Sequence, residues 1–448
     1  MALTNYRNLR QKYPVFSYDK FDYLLENNSL VVKFYYSAGD HKFAHKLSIT
    51  NIEKLPGQID KYIFNVGLSI LPSYWKLFCS PTINIQAGTF PATPKLGGSS
   101  EGWWQKLFIK GMGEYFYKNQ IIFTEENFLS IKNKHEEFLQ TGAQGVPPEG
   151  KVAEHPQLQN SSTNSNKTLV PVGGGKDSIV TLELLKSHYD VTAFVINPVP
   201  LISEVIKKAG VPSITVENIF DPELFELNRT GYLNGHVPVS AFYAFTAVLT
   251  AYLHNISYVA FSNERSSGEG NTNYLGQEIN HQYSKTLEFE TDLNIYLRNI
   301  TNIKYFSFLR PIYELQITKI FSQYPQYFDI FSSCNQNFKQ NRPATPKPAG
   351  AGEGWWCQNC PKCVSTALML ACFLGEPKVA QIMGTFPNNP EILNQLTGVS
   401  PVKPFECVLT RAEAIAATTG QGFENIINSW QDNPNMPEEF SKILKSVL

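Results

Sequence analysis

At 448 residues the chain is long enough for two or three domains and a large core. Lys and Arg number 38 against 39 Asp and Glu, a net charge of -1, so no basic footprint of a nucleic-acid binder is present and RNA is disfavoured as a substrate. Seven cysteines form an odd set, with Cys334, Cys357, Cys360 and Cys363 close together, which points to a reducing compartment and a metal site instead of a disulfide framework.

The first residues carry no apolar core of a signal peptide, and a cytoplasmic location is expected. Residues 1–139 read as a mixed α/β accessory domain that recognises substrate. Leu30 to Tyr36 and Tyr62 to Val66 are its β-type runs, and Trp103 to Gln120 is a helix whose Gly111 and Gly113 suggest close packing. Residues 140–167, rich in Gly, Pro, Ser and Asn, read as a flexible linker. One internal repeat stands out: PATPKLGGSSEGWW at 91–104 and PATPKPAGAGEGWW at 343–356 agree at ten of fourteen positions. With no third copy, both are expected to be insertions in surface loops.

A catalytic domain is expected over 168–400, followed by a helical segment over 401–448. Thr168 to Val172 is an apolar, β-branched run of the kind found in buried parallel strands. Gly173, Gly174 and Gly175 break it, and a helical pattern starts with Lys176, Asp177 and Ser178. Strand, glycine turn and helix together make a phosphate cradle, because glycine backbone and a helix N-terminus can converge on an anion. A Walker A loop is excluded, since Asp177 stands where Ser or Thr should follow the lysine. A dinucleotide fingerprint is weakened by Ser178 in place of the last glycine and by Asn197, not an acid, after the next strand. The order Gly-Gly-x-Asp-Ser after a strand instead resembles the PP-loop ATP pyrophosphatase superfamily, with Gly173 standing where that superfamily usually has Ser. An ordinary glycine turn is the plainer alternative.

Further strands are expected at Val191 to Ile196, Ile214 to Val216 and Tyr258 to Phe261, with helices between them. The fold class is therefore α/β, a doubly wound parallel sheet of PP-loop type with an N-terminal mixed α/β domain. Val237 to Leu253 reads as a buried helix and not as a membrane span. Ligands gather at the carboxyl ends of such strands, which brings Asn197 and the loop Ser262 to Asn271 near the glycine turn. In that loop the carboxylates are suited to holding Mg²⁺, and Arg265 to phosphate or carboxylate, with Glu264 and Arg265 as catalytic candidates; a solvated loop has the same composition. His281 and Lys285, four apart, are expected on one helical face, and either can serve as a base. A solvent-facing helix is the rival reading.

Cys357, Cys360 and Cys363 with Cys334 supply four thiolates for a closed structural Zn²⁺ site. Without the twelve residues 343–354, the 22 between Cys334 and Cys357 would shrink to 10, a compact hairpin. An iron–sulfur cluster competes, but the cysteine–proline pair expected after Cys363 is missing.

Taken in order, VPVGGGKDS, AFSNERSSGEGN, INHQYSK, FLRPIYEL, SSCNQNF, WCQNCPKC and KPFECV resemble the UDP-N-acetylmuramoyl-L-alanyl-L-glutamate epimerase family of bacterial peptidoglycan synthesis, from about Trp104 to Cys407. The resemblance implies ATP and Mg²⁺, AMP and diphosphate as products, and a small-molecule substrate, a UDP-linked muramoyl dipeptide. It implies that Gly173 to Gly175, Lys176 and Ser178 hold pyrophosphate, that Asp177 assists Mg²⁺ or substrate, and that His281 or Lys285 moves the α-proton. A deazapurine-modifying PP-loop ligase and a non-catalytic nucleotide sensor are the alternatives; neither nucleic acid nor membrane is an expected partner.

Overall fold

The structure, a computed structural model, describes residues 6–91, 100–135, 166–336 and 355–448. The expected linker falls outside these residues except for its last two, and so do most of both repeat copies. Along the described chain run β1 (Val15–Glu26), β2 (Ser29–Ala38), β3 (His41–Thr50), β4 (Thr82–Ile85), β5 (Ser130–Asn133), β6 (Lys167–Pro171), β7 (Asp190–Ile196), β8 (Ser213–Ile219), β9 (Tyr258–Phe261), β10 (Thr272–Tyr274), β11 (Gln277–Ile279) and β12 (Lys304–Ser307). The chain folds into two compact units. One takes Met1–Lys167, Ile214–Val259 and Asp292–Lys304; the other takes Thr168–Ser213, Ala260–Thr291 and Tyr305–Leu448. The chain thus returns to the first unit twice after residue 167.

In the first unit the strand order is β8-β3-β2-β1-β4-β5. β1, β2, β3 and β8 pair antiparallel in succession, and β4 and β5 are added in parallel beyond β1. Asn27 and Asn28, at φ 49° and 55°, form the two-residue turn between β1 and β2, a left-handed pair that asparagine tolerates. Alternate residues of β2 (Leu30, Val32, Phe34, Tyr36, Ala38) face the core.

Tyr62 to Val66 is not a strand. It lies within the helix Asp60–Ile70, in which every residue from Tyr62 to Ile70 is buried, and a short run that is apolar on all sides gives no period to separate helix from strand. Two helices, Ser100–Gly111 and Gly113–Lys118, occupy the expected 103–120 stretch, and a side chain on Gly111 would meet Pro238 Cβ at 2.7 Å. The tail of the first repeat copy is no surface insertion. Trp103 and Trp104 sit buried on the first of these helices, Trp103 stacks on Tyr296 at 4.5 Å, and Trp104 donates from Nε1 to the Tyr296 hydroxyl at 3.1 Å. With their faces and N–H already engaged, these rings belong to the core.

In the second unit the strand order is β12-β9-β6-β7. β6 passes to its neighbour β7 through the helix Lys176–Leu185, the crossover connection that parallel strands require. The class is α/β, as expected. The C-terminal residues are not a separate layer, since Val408, Leu409, Ala414 and Ile426 share one buried cluster with Leu315, Val364 and Met369. Among the described residues no helix is long and apolar enough to cross a membrane, and Val239–Leu253 is a largely buried helix.

Candidate active site

β6 ends at Pro171, and the chain turns at Gly173 to Gly175 into the helix that begins with Lys176. Each glycine has its own reason. Gly173 is exposed, and a Cβ there would meet nothing within 4 Å, so this side of the turn is open. Gly174 has φ +80°, and a Cβ would lie 2.4 Å from Leu201 Cδ2. Gly175 caps the helix in extended conformation, against Ser333 Oγ at 2.9 Å from its ideal Cβ. The first backbone N–H groups of that helix have no intrahelical partner, which makes the turn a candidate anion site. Ser178 Oγ donates to the Gly175 carbonyl at 3.0 Å, tightening the first turn. Asn197, half-buried at φ 48°, follows β7 directly.

Lys176 does not point freely at that opening. Only 2% exposed, it donates to Asp177 Oδ1 at 2.5 Å and to Glu314 Oε2 at 2.8 Å. Burial opposes its charge, but Asp177 and Glu314 outweigh burial and raise its pKa. Glu314 is held anionic by the same pairing against the cost of burial. It stands at the first turn of the helix Glu314–Phe321, where its N–H donates to Ser266 Oγ at 3.1 Å. Sequence reasoning missed Glu314, although it lies in the quoted stretch FLRPIYEL; no local pattern shows that a glutamate 138 residues away meets Lys176.

The loop after β9 folds inward. Glu264 is 3% exposed, and its carboxyl makes no hydrogen bond or ion pair among the described residues. Burial pushes its pKa up to about 7, against the opposing pull of Lys285. Such a group resists carrying the fixed negative charge that a Mg²⁺ ligand needs. Glu269 is tied to Lys403 at 2.6 Å. Arg265 lies over the Tyr313 ring at 4.3 Å and donates to Ser429 Oγ at 2.7 Å. A second arginine, Arg310, was not singled out from the sequence. Buried, it donates to the Glu264 carbonyl at 2.6 Å, to Ser267 Oγ at 2.9 Å and to the Lys285 carbonyl, so it fastens the two candidate segments together.

His281 and Lys285 do not share an α-helical face. The β10–β11 hairpin turns at Leu275 and Gly276, both at positive φ, and the chain then winds into the short 3₁₀ turn Tyr283–Lys285. Asn280 Oδ1 accepts from the Gln282 N–H at 2.7 Å, and the Lys285 N–H bonds back to Gln282 O at 2.7 Å, local bonds that compete with an α-helix. The two side chains nevertheless converge. Lys285 Nζ is 3.2 Å from Cys407 Sγ, and His281 also hydrogen-bonds that sulfur.

The four expected cysteines come together, with their sulfurs all within 4.8 Å of one another. Cys357 Sγ lies 3.7 Å and Cys360 Sγ 3.5 Å from Cys363 Sγ. Tetrahedral thiolates at about 2.3 Å from zinc would stand about 3.8 Å apart, so the donor set and spacing fit such an ion. The Cys357 N–H points at Cys334 Sγ at 3.4 Å, and Cys360 caps the helix Pro361–Leu374. The cluster is joined to the glycine turn: Ser332, two residues before Cys334, donates its N–H to the Gly174 carbonyl at 3.0 Å, and its hydroxyl accepts from the Cys334 N–H at 3.1 Å.

An exposed glycine turn between strand and helix, with buried ion pairs and a carboxyl without a hydrogen bond in the same unit, defines an α/β protein with a candidate anion site at that turn. Comparison with known proteins narrows this. Residues 7–308 match the family model of the MurL N-terminal domain and residues 330–444 that of the MurL C-terminal domain. Three curated relatives carry the name UDP-N-acetyl-alpha-D-muramoyl-L-alanyl-L-glutamate epimerase. That of Micromonospora sp. is 34% identical over 73% of this chain and 68% of its own length. That of Salinispora tropica is 34% identical over 76% and 69%, and that of Xanthomonas oryzae pv. oryzae 32% over 75% and 69%. The chain belongs to the MurL family.

Proposed function

We propose that this chain is an isomerase that converts the terminal L-glutamate of UDP-N-acetylmuramoyl-L-alanyl-L-glutamate to D-glutamate, in the cytoplasm, where ATP and nucleotide-linked precursors of peptidoglycan are found. The names of three relatives supply the substrate. The open glycine turn carries the finer reading, in which ATP is cleaved to AMP and diphosphate and the carboxylate is adenylated. Removing an α-proton beside an ionised carboxylate puts two negative charges on adjacent atoms. An acyl-adenylate accepts the new charge on its carbonyl oxygen, and its hydrolysis makes the conversion irreversible.

In this reading Gly173 to Gly175, the helix N-terminus and Ser178 hold the phosphates. Asn197 borders the nucleotide. Lys176, locked between Asp177 and Glu314, offsets part of their negative charge beside the turn and fixes the first turn of the helix in place. Asp177, 27% exposed at its side chain, is the carboxylate placed to hold Mg²⁺, which would neutralise phosphate charge. Arg265 and Glu264 border the acyl group, and the α-proton is moved at the end of the site where His281 and Lys285 meet. Cys334, Cys357, Cys360 and Cys363 would hold a structural Zn²⁺, and Ser332, bonded both to Cys334 and to Gly174, would carry that support to the turn.

The direct test is release of pyrophosphate from ATP and Mg²⁺ with UDP-N-acetylmuramoyl-L-alanyl-L-glutamate, followed by chiral analysis of the glutamate. Substrate-dependent pyrophosphate together with D-glutamate is the expected result. Pyrophosphate without D-glutamate would discard the epimerase, and neither product would discard the adenylating site as well.

A further inference from the structure

Cys407 has no part in the chemistry read above, yet the two residues singled out as bases both end on its sulfur. Four segments meet there. Lys285 Nζ lies at 3.2 Å, at the end of its 3₁₀ turn, and His281 hydrogen-bonds from the turn before it. Lys362, at the start of the helix Pro361–Leu374, adds a further positive charge and donates its N–H to Glu406 Oε2 at 3.3 Å. From the loop after β9 comes Glu264, buried, without a hydrogen bond or ion pair of its own. The backbone holds the sulfur in place: Asn271 Nδ2 donates to the Pro404 carbonyl at 2.6 Å, and the Lys403 N–H to the Asn271 carbonyl at 2.9 Å.

This surrounding selects a protonation state. Burial alone would keep the thiol neutral, but Lys285, the His281 hydrogen bond and Lys362 overcome it and hold Cys407 down at about 5, so the sulfur is a thiolate at neutral pH. Lys285, in turn, is raised by Cys407 and Glu264 in spite of its own burial. An ammonium so held has no lone pair to accept a proton, whereas the thiolate beside it is already unprotonated and can accept one. As a residue Cys407 is half-buried, whereas Cys334, Cys360 and Cys363 are buried. The carboxyl of Glu264, on a residue only 3% exposed and with no hydrogen bond among the described residues, is a second polar group of this cluster left for a ligand to engage.

From this geometry we infer that Cys407 is the catalytic residue that takes the α-proton of the glutamate, with His281 and Lys285 as its positioning residues. The inference rests on the epimerase reading of the same site. The Cα–H bond breaks and an S–H bond forms; the electron pair moves into the acyl group as an enolate. The thiol gives its proton to solvent, and the α-carbon regains one from solvent on its opposite face.

The test is run in D₂O with ATP, Mg²⁺ and the UDP-linked dipeptide, reading pyrophosphate release, deuterium at the glutamate α-carbon and D-glutamate separately. Wild type is expected to show all three. Cys407→Ala and the near-isosteric Cys407→Ser are expected to release pyrophosphate while deuterium uptake and D-glutamate fall by about 10²–10⁴-fold. Either variant exchanging at the wild-type rate would overturn the assignment and leave the epimerase intact. Parallel loss of pyrophosphate release in both variants would overturn it too, by placing Cys407 with adenylation or with the fold. Absence of pyrophosphate and D-glutamate in wild type would instead sink the epimerase reading on which it stands.

Discussion

The glycine turn and the charged cluster beside it are built in opposite ways. The turn is six consecutive residues, Gly173 to Ser178, whose backbone does the binding, and its geometry follows from what glycine and a helix start can do locally. The cluster gathers Glu264, Lys285, Arg310, Glu314 and Cys407 from segments that only the fold brings together. Chemistry that relies on backbone can be written in one motif. Side chains that must set each other's charge need distant partners, and their roles depend on those partners more than on their own identity. Lys176 bridges the two regions, since it belongs to the motif in sequence and to the cluster in its contacts.

That bridging makes Lys176 the place to break the comparison with the largest effect. Lys176→Met would leave Glu314 buried and anionic without its cation. Breaking one side of a buried pair costs about 3–5 kcal/mol, to be read as a fall in the urea midpoint. Adding Glu314→Leu should restore much of the loss, because an apolar pair of similar volume replaces a charge left alone. An unchanged midpoint in the single variant would show that the ion pair does not link turn and cluster.

The next effect belongs to the cluster alone. Burial favours the protonated form of Glu264 in the native state, with a pKa of about 7 against 4.5 for the ordinary group. Its cost to stability is therefore absent in acid, grows as pH rises through that window, and is complete above about 7, on the order of 3 kcal/mol at most. Glu264→Gln should be more stable than wild type at pH 8 and no more stable at pH 4, with guanidinium midpoints as the readout. A variant whose stability follows pH as wild type does would remove Glu264 from the cluster's electrostatics.

How much of this could be read beforehand follows the same division. The turn, the α/β alternation and the four cysteines each have a local spacing with a physical cause, and the structure brings these residues together as that spacing implies. His281 and Lys285 were recognisable as chemically apt, but not their geometry: an Asn280 side chain competing for backbone N–H groups converts an apparent helix into a hairpin and a 3₁₀ turn. Arg310, Glu314 and Cys407 carry no local signature, because a buried charge looks like a surface charge until its partner is known. Trp103 and Trp104 illustrate the converse, a repeated motif that suggests an insertion while its last residues fill a core.

Metal removal sharpens the comparison from the side of the turn. The cysteine cluster reaches Gly174 through Ser332, so stripping zinc with a chelator, or Cys360→Ser, should loosen the turn before it disturbs Lys285 and Cys407. We expect about one zinc per chain by elemental analysis, and a 10–100-fold loss of pyrophosphate release on its removal, the size seen when support around a functional group is withdrawn. Faster amide exchange at Ser332 and Cys334, with no change near Lys285, would be the accompanying sign. Unaltered pyrophosphate release from zinc-free protein would make the cluster a local staple with no bearing on the turn.

The smallest expected change is the most selective for phosphate binding. Gly173 stands where the superfamily resembled by this turn usually has serine, and its Cβ position is open, with no atom within 4 Å and no left-handed φ to penalise a side chain. Gly173→Ser should therefore change stability by less than about 0.5 kcal/mol. Its hydroxyl would add one donor at the mouth of the turn, and a hydrogen bond to a charged phosphate is worth roughly 1.5–3 kcal/mol when well formed, so the KM for ATP should fall while the fraction of D-glutamate per pyrophosphate stays constant. Gly174→Ser, by contrast, meets Leu201 Cδ2 at 2.4 Å from its Cβ in a left-handed backbone and should lose stability and pyrophosphate release together. If Gly173→Ser left the KM for ATP unchanged or raised it, the open side of the turn would not be where phosphate sits, and the division between a backbone-built phosphate site and a side-chain-built proton site would have to be redrawn around Lys176.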